Sequence, residues 1–223
     1  MKDIKYIRDY YNKHYTDNLN FYWDKTKILN AFKTYENDRR QVKWLSKRMG
    51  IKGNETILDC GCGIGGTMKQ IALLYPNTNV YGINVSDGQI KMAEQVLEEL
   101  DNCNLSIQDY TNTNFEDNSF DIIYFCESIC YNEYGKVLTE VYRILKPNGT
   151  LYIKDLVIKC SKDKLSESEL IKLNTFTDSW YTEVFDTETI IDIVDNIGGF
   201  ELISNKRFIK PSIHWINAVR NSS

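Results

Sequence analysis

An α/β fold with a mostly parallel sheet is predicted by three features of the chain. From residue 55 onward, short apolar strands alternate with amphipathic helices. The first of these strands runs directly into a glycine cluster that opens a helix. The run at 120–126 is almost wholly apolar, as expected of a central strand covered on both faces. The 223 residues leave room for one domain of ordinary size, and 42% hydrophobic with 26% charged residues are globular proportions.

Taken in order, residues 1–50 read as helices rich in aromatics, with Tyr6, Tyr10, Tyr11, Tyr15, Phe21, Tyr22 and Trp23 close together. They are expected to form a helical cap over a site, with 51–223 as the core. A strand at 56–59 stops at the glycines, and a helix follows through Leu74. A second strand, 79–85, leads into a helix whose Ile90, Ala93, Leu97 and Leu100 recur at helical spacing and bury one stripe. Residues 104–108 form a third strand, and 120–126 the fourth. A helix over 135–146, apolar at Val137, Leu138, Val141, Ile144 and Leu145, is stopped by Pro147-Asn148-Gly149 before a strand at 150–157. The polar stretch 160–180 contributes a variable helix, and 186–197 is helical up to Gly198-Gly199. Two last strands, 200–208 and 214–219, flank Pro211 and suit an antiparallel hairpin at the sheet edge.

Composition excludes several classes. A net charge of -4 argues against a generic nucleic-acid binder. The charge is uneven: residues 1–50 carry 12 Lys/Arg against 6 Asp/Glu, either a solvated helical face or a surface that receives an anionic substrate. Cysteines at 60, 62, 103, 126, 130 and 160 form no C-x-x-C pair, and only His14 and His214 supply imidazoles, so no metal site is expected. Neither a signal-peptide pattern nor a bilayer-length apolar run is evident, so the chain is expected to be cytoplasmic, with reduced thiols and no stable membrane insertion. A homo-oligomer is compatible with this composition.

The cluster from Asp59 to Gly66 has two parses. Gly61, Gly63 and Gly66 give G-x-G-x-x-G, the dinucleotide fingerprint, which alone is weak. Asp59, Gly61, Gly63 and Gly65 give D-x-G-x-G-x-G. A dinucleotide brings a pyrophosphate, which a carboxylate before the turn repels. A ligand bearing an ammonium is instead attracted by that carboxylate, while glycines let the main chain come close. Asp59 favours the second parse.

Here the chain resembles the class I S-adenosylmethionine-dependent methyltransferases, in order and spacing over about residues 55–157. The resemblance implies a Rossmann-like, seven-stranded, mostly parallel sheet with an antiparallel edge hairpin, and S-adenosylmethionine as cofactor. Asp59, Gly61, Gly63 and Gly65 match the methionine-binding turn. Asn84 stands where the family usually has an acidic residue for the ribose hydroxyls; a neutral amide hydrogen-bonds less restrictively. The run from Gly82 to Ser86 followed by Gln89 is similar to the cyclopropane fatty-acid synthase and small-molecule C-methyltransferase branch, where the Gln contacts the ribose. Gln108-Asp109-Tyr110 matches the adenine-reading segment, Asp109 by its side chain and Tyr110 by its backbone amide. Segments 115–121 and 145–149 match scaffold turns.

Methyl transfer is an in-line displacement, so much of the acceleration comes from positioning. Glu127 directly follows the fourth strand's apolar run, where partial desolvation suits it to accept a proton; contact with the cofactor or a helix end is the other reading. The Glu127-Ser128 pair resembles a similarly placed Glu in methyltransferases of prenyl diphosphates, sterols and tocopherol precursors. In alkene methylation, aromatic faces stabilise the cation that forms. Tyr15 joins Glu127 as a candidate catalytic residue, and Tyr11, Tyr22, Tyr131 and Trp180 are candidate substrate contacts. Were the acceptor a diphosphate, Arg8, Lys13, Arg39 and Arg40 are the available cations. The expected activity is C-methylation of an isoprenoid or prenyl diphosphate; N- or O-methylation of a small amine or other metabolite is the alternative, and an NAD(P)-dependent oxidoreductase a remote one.

Overall fold

A computed structural model describes residues 3–22, 38–207 and 213–221. Helices α1 (Ile4–Tyr22) and α2 (Asp38–Met49) precede an alternating series: β1 (Thr56–Cys60), α3 (Gly66–Leu74), β2 (Asn79–Asn84), α4 (Asp87–Leu97), β3 (Cys103–Ile107) and β4 (Phe120–Cys126). Then follow α5 (Tyr134–Ile144), β5 (Leu145–Leu156), α6 (Glu167–Trp180), α7 (Thr187–Ile197), β6 (Phe200–Arg207) and β7 (Ile213–Arg220). The sheet order is β3-β2-β1-β4-β5-β7-β6. β1 to β5 run parallel, whereas β7 is antiparallel to both β5 and β6. This is a Rossmann-like α/β arrangement, as the alternation of strand and helix patterns predicts.

Both faces of the sheet are covered because successive strand residues point to opposite sides. Leu58, Ile123 and Phe125 pack with Val137, Leu138 and Val141 of α5 and Ile190 and Val194 of α7. Their neighbours Ile57, Ile122 and Tyr124 pack on the other face with Met68 and Ile71 of α3 and Ile90 of α4. That division explains why the strands read as continuous apolar runs.

Val42, Leu45 and Met49 of α2 are almost wholly buried in this second cluster. At about 1.5–3 kcal/mol per buried side chain, the three contribute roughly as much as a small domain's entire net stability. α2 is therefore bolted to the sheet, while α1 lies over α4 through its polar side. Asn12 accepts from the Ser86 hydroxyl at 2.6 Å and donates to Asp87 at 2.5 Å.

The helix ends follow their sequence signals. The Ser86 hydroxyl accepts from the Gln89 amide to cap α4, Asp186 does the same for α7 through the Thr189 amide, and Ser166 with Glu169 forms a capping box on α6. One boundary differs from expectation. The helix ends at Ile144 rather than 146, because Leu145 already pairs with Phe120; Thr150 then pairs with Ile122, and residues 146–149 bulge between, with Asn148 at φ 62. Pro147 and Gly149 permit that bulge inside the strand instead of only preceding it.

Candidate active site

β1 and β4 are neighbours from which the chain leaves in opposite directions, toward β2 and toward β5. In open α/β sheets, ligand crevices form at the carboxyl ends of such a pair. Here the crevice is open to solvent, with a cavity volume of about 110 Å³. Asp59, Gly61 and Gly63 line it after β1, Asn84 and Gln89 after β2, and Glu127, Ser128 and Tyr131 after β4. Ile4, Ile7 and Tyr11 of α1 close it from the side.

The glycine turn is shaped by close approach. Gly61 has φ +82, and a Cβ there would lie 2.6 Å from the Ser128 Cβ. Only glycine lets the β1 and β4 turns meet. The contact is fastened by the Ser128 hydroxyl, which donates to the Cys60 carbonyl at 2.5 Å, and by the Tyr110 hydroxyl, which donates to the Ser128 carbonyl at 2.6 Å. Gly63, Gly66 and Thr67 bring the amino end of α3 to the lining, where unpaired amides and the positive dipole end favour a carboxylate.

Asp59 is 3% exposed. Burial pushes its carboxyl up to about 7, offset only in part by the Tyr124 hydroxyl, which donates to Oδ2 at 2.5 Å. Among the described lining residues there is no Lys or Arg to balance it. Asn84 and Gln89 form a buried amide pair: the Asn84 amide donates to Gln89 Oε1 at 2.8 Å, while Asn84 Oδ1 accepts from the Ser86 amide. This arrangement locks Asn84 and leaves polar amide edges at the cleft.

Glu127 adopts φ 60, which turns its side chain sharply at the end of β4. Its backbone amide donates to the Lys154 carbonyl at 2.7 Å, and its carboxylate is paired with the Lys154 ammonium. Lys154 is 1% exposed; burial opposes its charge, but Cys126, Glu127 and Asp155 outweigh that and raise its pKa. Burial lifts the adjacent Asp155 to about 6, although the Leu156 amide bonds it. Asp155 also accepts from the Ile129 amide at 3.1 Å, anchoring the turn that carries Tyr131. Tyr131 in turn accepts a hydrogen bond from the Tyr11 hydroxyl, and their rings meet edge to face, 5.5 Å apart.

Nine of the residues singled out in the sequence converge on this crevice: Asp59, Gly61, Gly63, Asn84, Gln89, Tyr110, Glu127, Tyr11 and Tyr131. Gly65 does not; it caps α3 at φ +79 and packs against Leu97, and Gly66 lines the cleft in its stead. Asp109 also falls outside the lining, its Oδ1 bonded by the Thr111 amide in a local turn. Trp180 is 44% exposed beside Phe176; the chain reverses at Tyr181 (φ 56), and it is Tyr181 that packs against the rings of Tyr6 and Tyr10. The side chains of Tyr15 and Tyr22, and all of Trp23, lie outside the described residues. Arg8 donates to the Val85 carbonyl, and Arg39 and Arg40 are exposed on α2. Lys154, Tyr124 and Tyr181 were not among the residues the sequence pointed to. For Lys154 a signal existed: Lys-Asp at the end of an apolar strand is the same pattern that marks Asp59 and Glu127.

An open α/β sheet with a glycine turn and two carboxylates at its switch point defines a Rossmann-like protein built for a small ligand. The chain belongs to the methyltransferase-domain family, whose model matches residues 51–202. It is 33% identical over 132 residues to sterol 24-C-methyltransferase ERG6 of Saccharomyces cerevisiae, covering 56% of this chain and 33% of that protein. Across the curated relatives, the chain spans between a third and about half of their length, 33% to 54%. Among solved structures, the [4+2]-cyclase SpnF superposes with a TM-score of 0.80 at 16% identity, covering 100% of this chain and 98% of that one. Geranyl diphosphate C-methyltransferase from Streptomyces coelicolor A3(2) gives a TM-score of 0.75 at 15% identity, covering 97% of each chain. Identities this low bear on the fold alone. Among the described residues, no helix is long and apolar enough to cross a membrane.

Proposed function

We propose that the chain is an S-adenosylmethionine-dependent C-methyltransferase acting on an alkene carbon of a sterol or isoprenoid. The observation that carries this reading is electrostatic: the cleft is lined by Asp59 and Glu127, and by no Lys or Arg among its described residues. A pyrophosphate meets repulsion there, so a nicotinamide dinucleotide fits poorly. A donor that bears an ammonium fits Asp59, whereas the Glu127 carboxylate is already paired with Lys154. The names of the sterol C-methyltransferase relatives support the acceptor class.

When bound, S-adenosylmethionine supplies a methyl carbon activated by the positive sulfur. The protein's part is to hold, orient and take a proton. In this reading Asp59 receives the donor's ammonium, the amino end of α3 its carboxylate, and the Asn84–Gln89 amide edges its ribose. Glu127, fixed by Lys154 and by its strained backbone, accepts the proton that the methylated acceptor carbon loses. The rings of Tyr11 and Tyr131 flank the same space and stabilise developing positive charge by about 0.5–2 kcal/mol each. α1 acts as the cap, since Ile4, Ile7 and Tyr11 shield the cleft from water. The six free cysteines suit a cytoplasmic setting.

The test is Glu127→Gln, assayed by transfer of radiolabelled methyl to sterol and prenyl substrates alongside calorimetry with S-adenosylhomocysteine. Retained affinity with turnover reduced about 10²-fold supports the assignment. Wild-type protein that ignores S-adenosylhomocysteine but binds a nicotinamide dinucleotide rejects it.

A further inference from the structure

Arg8 and Asn12 stand one helical turn apart on α1, and together they hold the four residues that follow β2. Arg8 Nε donates to the Val85 carbonyl at 3.1 Å. Asn12 reaches the next three residues. Its Oδ1 accepts from the Ser86 hydroxyl at 2.6 Å and from the Gly88 amide at 3.3 Å, and its side-chain nitrogen donates to Asp87 at 2.5 Å. The Gly88 amide belongs to the first turn of α4, where backbone donors lack helical partners. One side chain of α1 thus completes the cap of another helix.

Ser86 is where this clasp meets the proposed donor cleft. It is fully buried; its hydroxyl has a single hydrogen, which goes to Asn12, while its oxygen accepts from the Gln89 amide at 3.1 Å. The Ser86 backbone amide donates to Asn84, whose side-chain amide donates to Gln89. Asn84, Ser86 and Gln89 therefore form a closed ring, and Asn84 and Gln89 line the cleft. On the neighbouring stripe of α1, Ile4, Ile7 and Tyr11 line the same cleft, and Tyr11 is bonded to Tyr131 beyond β4. Among the described side chains of α1 only Ile7 is buried, so apolar packing holds α1 far more weakly than α2. Its seat depends on polar contacts at the two rims of the cleft.

We infer that Asn12 is a positioning residue, tying the seating of α1, and with it the Tyr11–Tyr131 wall, to the ring of amides that faces the donor. A ligand that fixes Asn84 and Gln89 fixes Ser86 between them, and Ser86 then presents its hydrogen to Asn12. Coupling of this kind is reciprocal, so a seated α1 tightens the hold on the donor by the factor with which the donor favours seating. The link to the donor rests on the methyltransferase reading, which puts the ribose against Asn84 and Gln89. The clasp itself does not depend on that reading.

The experiment is hydrogen exchange of the full chain, read by mass spectrometry with and without saturating S-adenosylhomocysteine. α2, packed through Val42, Leu45 and Met49, is the internal control. Asn12→Ala is expected to speed exchange over residues 8–13 about tenfold in the free protein and to leave α2 unchanged. In the wild type the ligand is expected to slow exchange over 8–13 about fivefold, a response that Asn12→Ala loses together with the same factor in affinity. Asn12→Asp is expected to behave like Asn12→Ala, because it sets two carboxylates against each other. Combining Asn12→Asp with Asp87→Asn moves the donor to position 87 and is expected to restore both the slow exchange and the response to ligand, a rescue that packing alone does not predict. Free-protein exchange that Asn12→Ala leaves unchanged, or a double variant no better than Asn12→Asp, overturns the clasp. A wild type that binds S-adenosylhomocysteine without protection over 8–13 overturns the coupling. A wild type that does not bind S-adenosylhomocysteine rejects the donor reading and the coupling with it, while the free-protein comparison still decides the clasp.

Discussion

Glu127 and Lys154 are joined twice, by a backbone hydrogen bond from the Glu127 amide to the Lys154 carbonyl and by an ion pair between their side chains. The Lys154 side chain is 1% exposed and that of Glu127 12%, so water contributes little to either charge. Removing one partner strands the other. Lys154→Met is expected to cost about 3 kcal/mol of stability, read by urea denaturation, and to lower turnover by loosening Glu127. Combining it with Glu127→Gln is expected to restore most of the stability and none of the turnover. Additive losses in the double variant contradict the coupling.

The carboxyl of Asp59 is pushed up to about 7 by burial, so in the free protein it is largely protonated below neutral pH. A folded-state value above the ordinary one means that the native state holds more protons between about 4 and 7. Stability therefore falls as pH rises through that window, and it does so without any loss of contacts. Binding of an ammonium runs the other way, because it needs the carboxylate. Affinity for S-adenosylhomocysteine is expected to rise as pH increases from 6 to 8, and Asp59→Asn is expected to weaken binding and flatten the dependence. A wild-type affinity independent of pH across that range speaks against Asp59 as the ammonium partner.

The order of strands and helices was legible because each face of the sheet left its mark: Ile57 and Leu58, or Ile122 and Ile123, are both apolar since both sides are covered. Asp59 and Glu127 were legible for the opposite reason, as charges where an apolar run ends. Asp109 sits in a local turn in which the Thr111 amide bonds Oδ1, a relationship between neighbouring residues that leaves no mark of its own in the sequence. For Trp180, an aromatic near a helix end does not reveal which neighbour the αL reversal at Tyr181 brings against the rings of α1. The Tyr11–Tyr131 contact joins residues 120 positions apart, and no local pattern encodes such a distance. The cap over 1–50 was expected from its aromatics, and within it Val42, Leu45 and Met49, spaced three and four apart, attach α2 to the sheet.

Gly61 tests the glycine turn. Alanine there meets two penalties, a left-handed φ of +82 and a Cβ 2.6 Å from that of Ser128. Gly61→Ala is expected to cost about 1–3 kcal/mol and to reduce S-adenosylhomocysteine affinity, since the turn must shift away from Ser128. Adding Ser128→Gly removes the clash but not the φ strain. The pair is expected to recover part of the stability, measured by thermal denaturation, and a second substitution that only worsens the first excludes the clash as the cause.

Tyr11 provides the sharpest test of α1 as a cap, because its hydroxyl is the point at which the helix grips the β4 turn. Burial raises the pKa of both Tyr11 and Tyr131, so across the working pH range the contact is between neutral hydroxyls and is insensitive to pH. Tyr11→Phe removes the donor and leaves the part-buried Tyr131 hydroxyl without it, at a cost of about 1 kcal/mol. Tyr131→Phe strands Tyr11 in the same way. The double variant strands neither, and the rings still meet edge to face, so its loss is expected to fall short of the sum of the single losses by about 1 kcal/mol. The cap role adds a kinetic expectation that packing alone does not: each single variant lets water reach the cleft and speeds dissociation of S-adenosylhomocysteine, measured by stopped-flow. Dissociation rates equal to the wild type, together with the stability coupling, leave Tyr11 as an anchor of the fold and remove α1 from the function of the cleft.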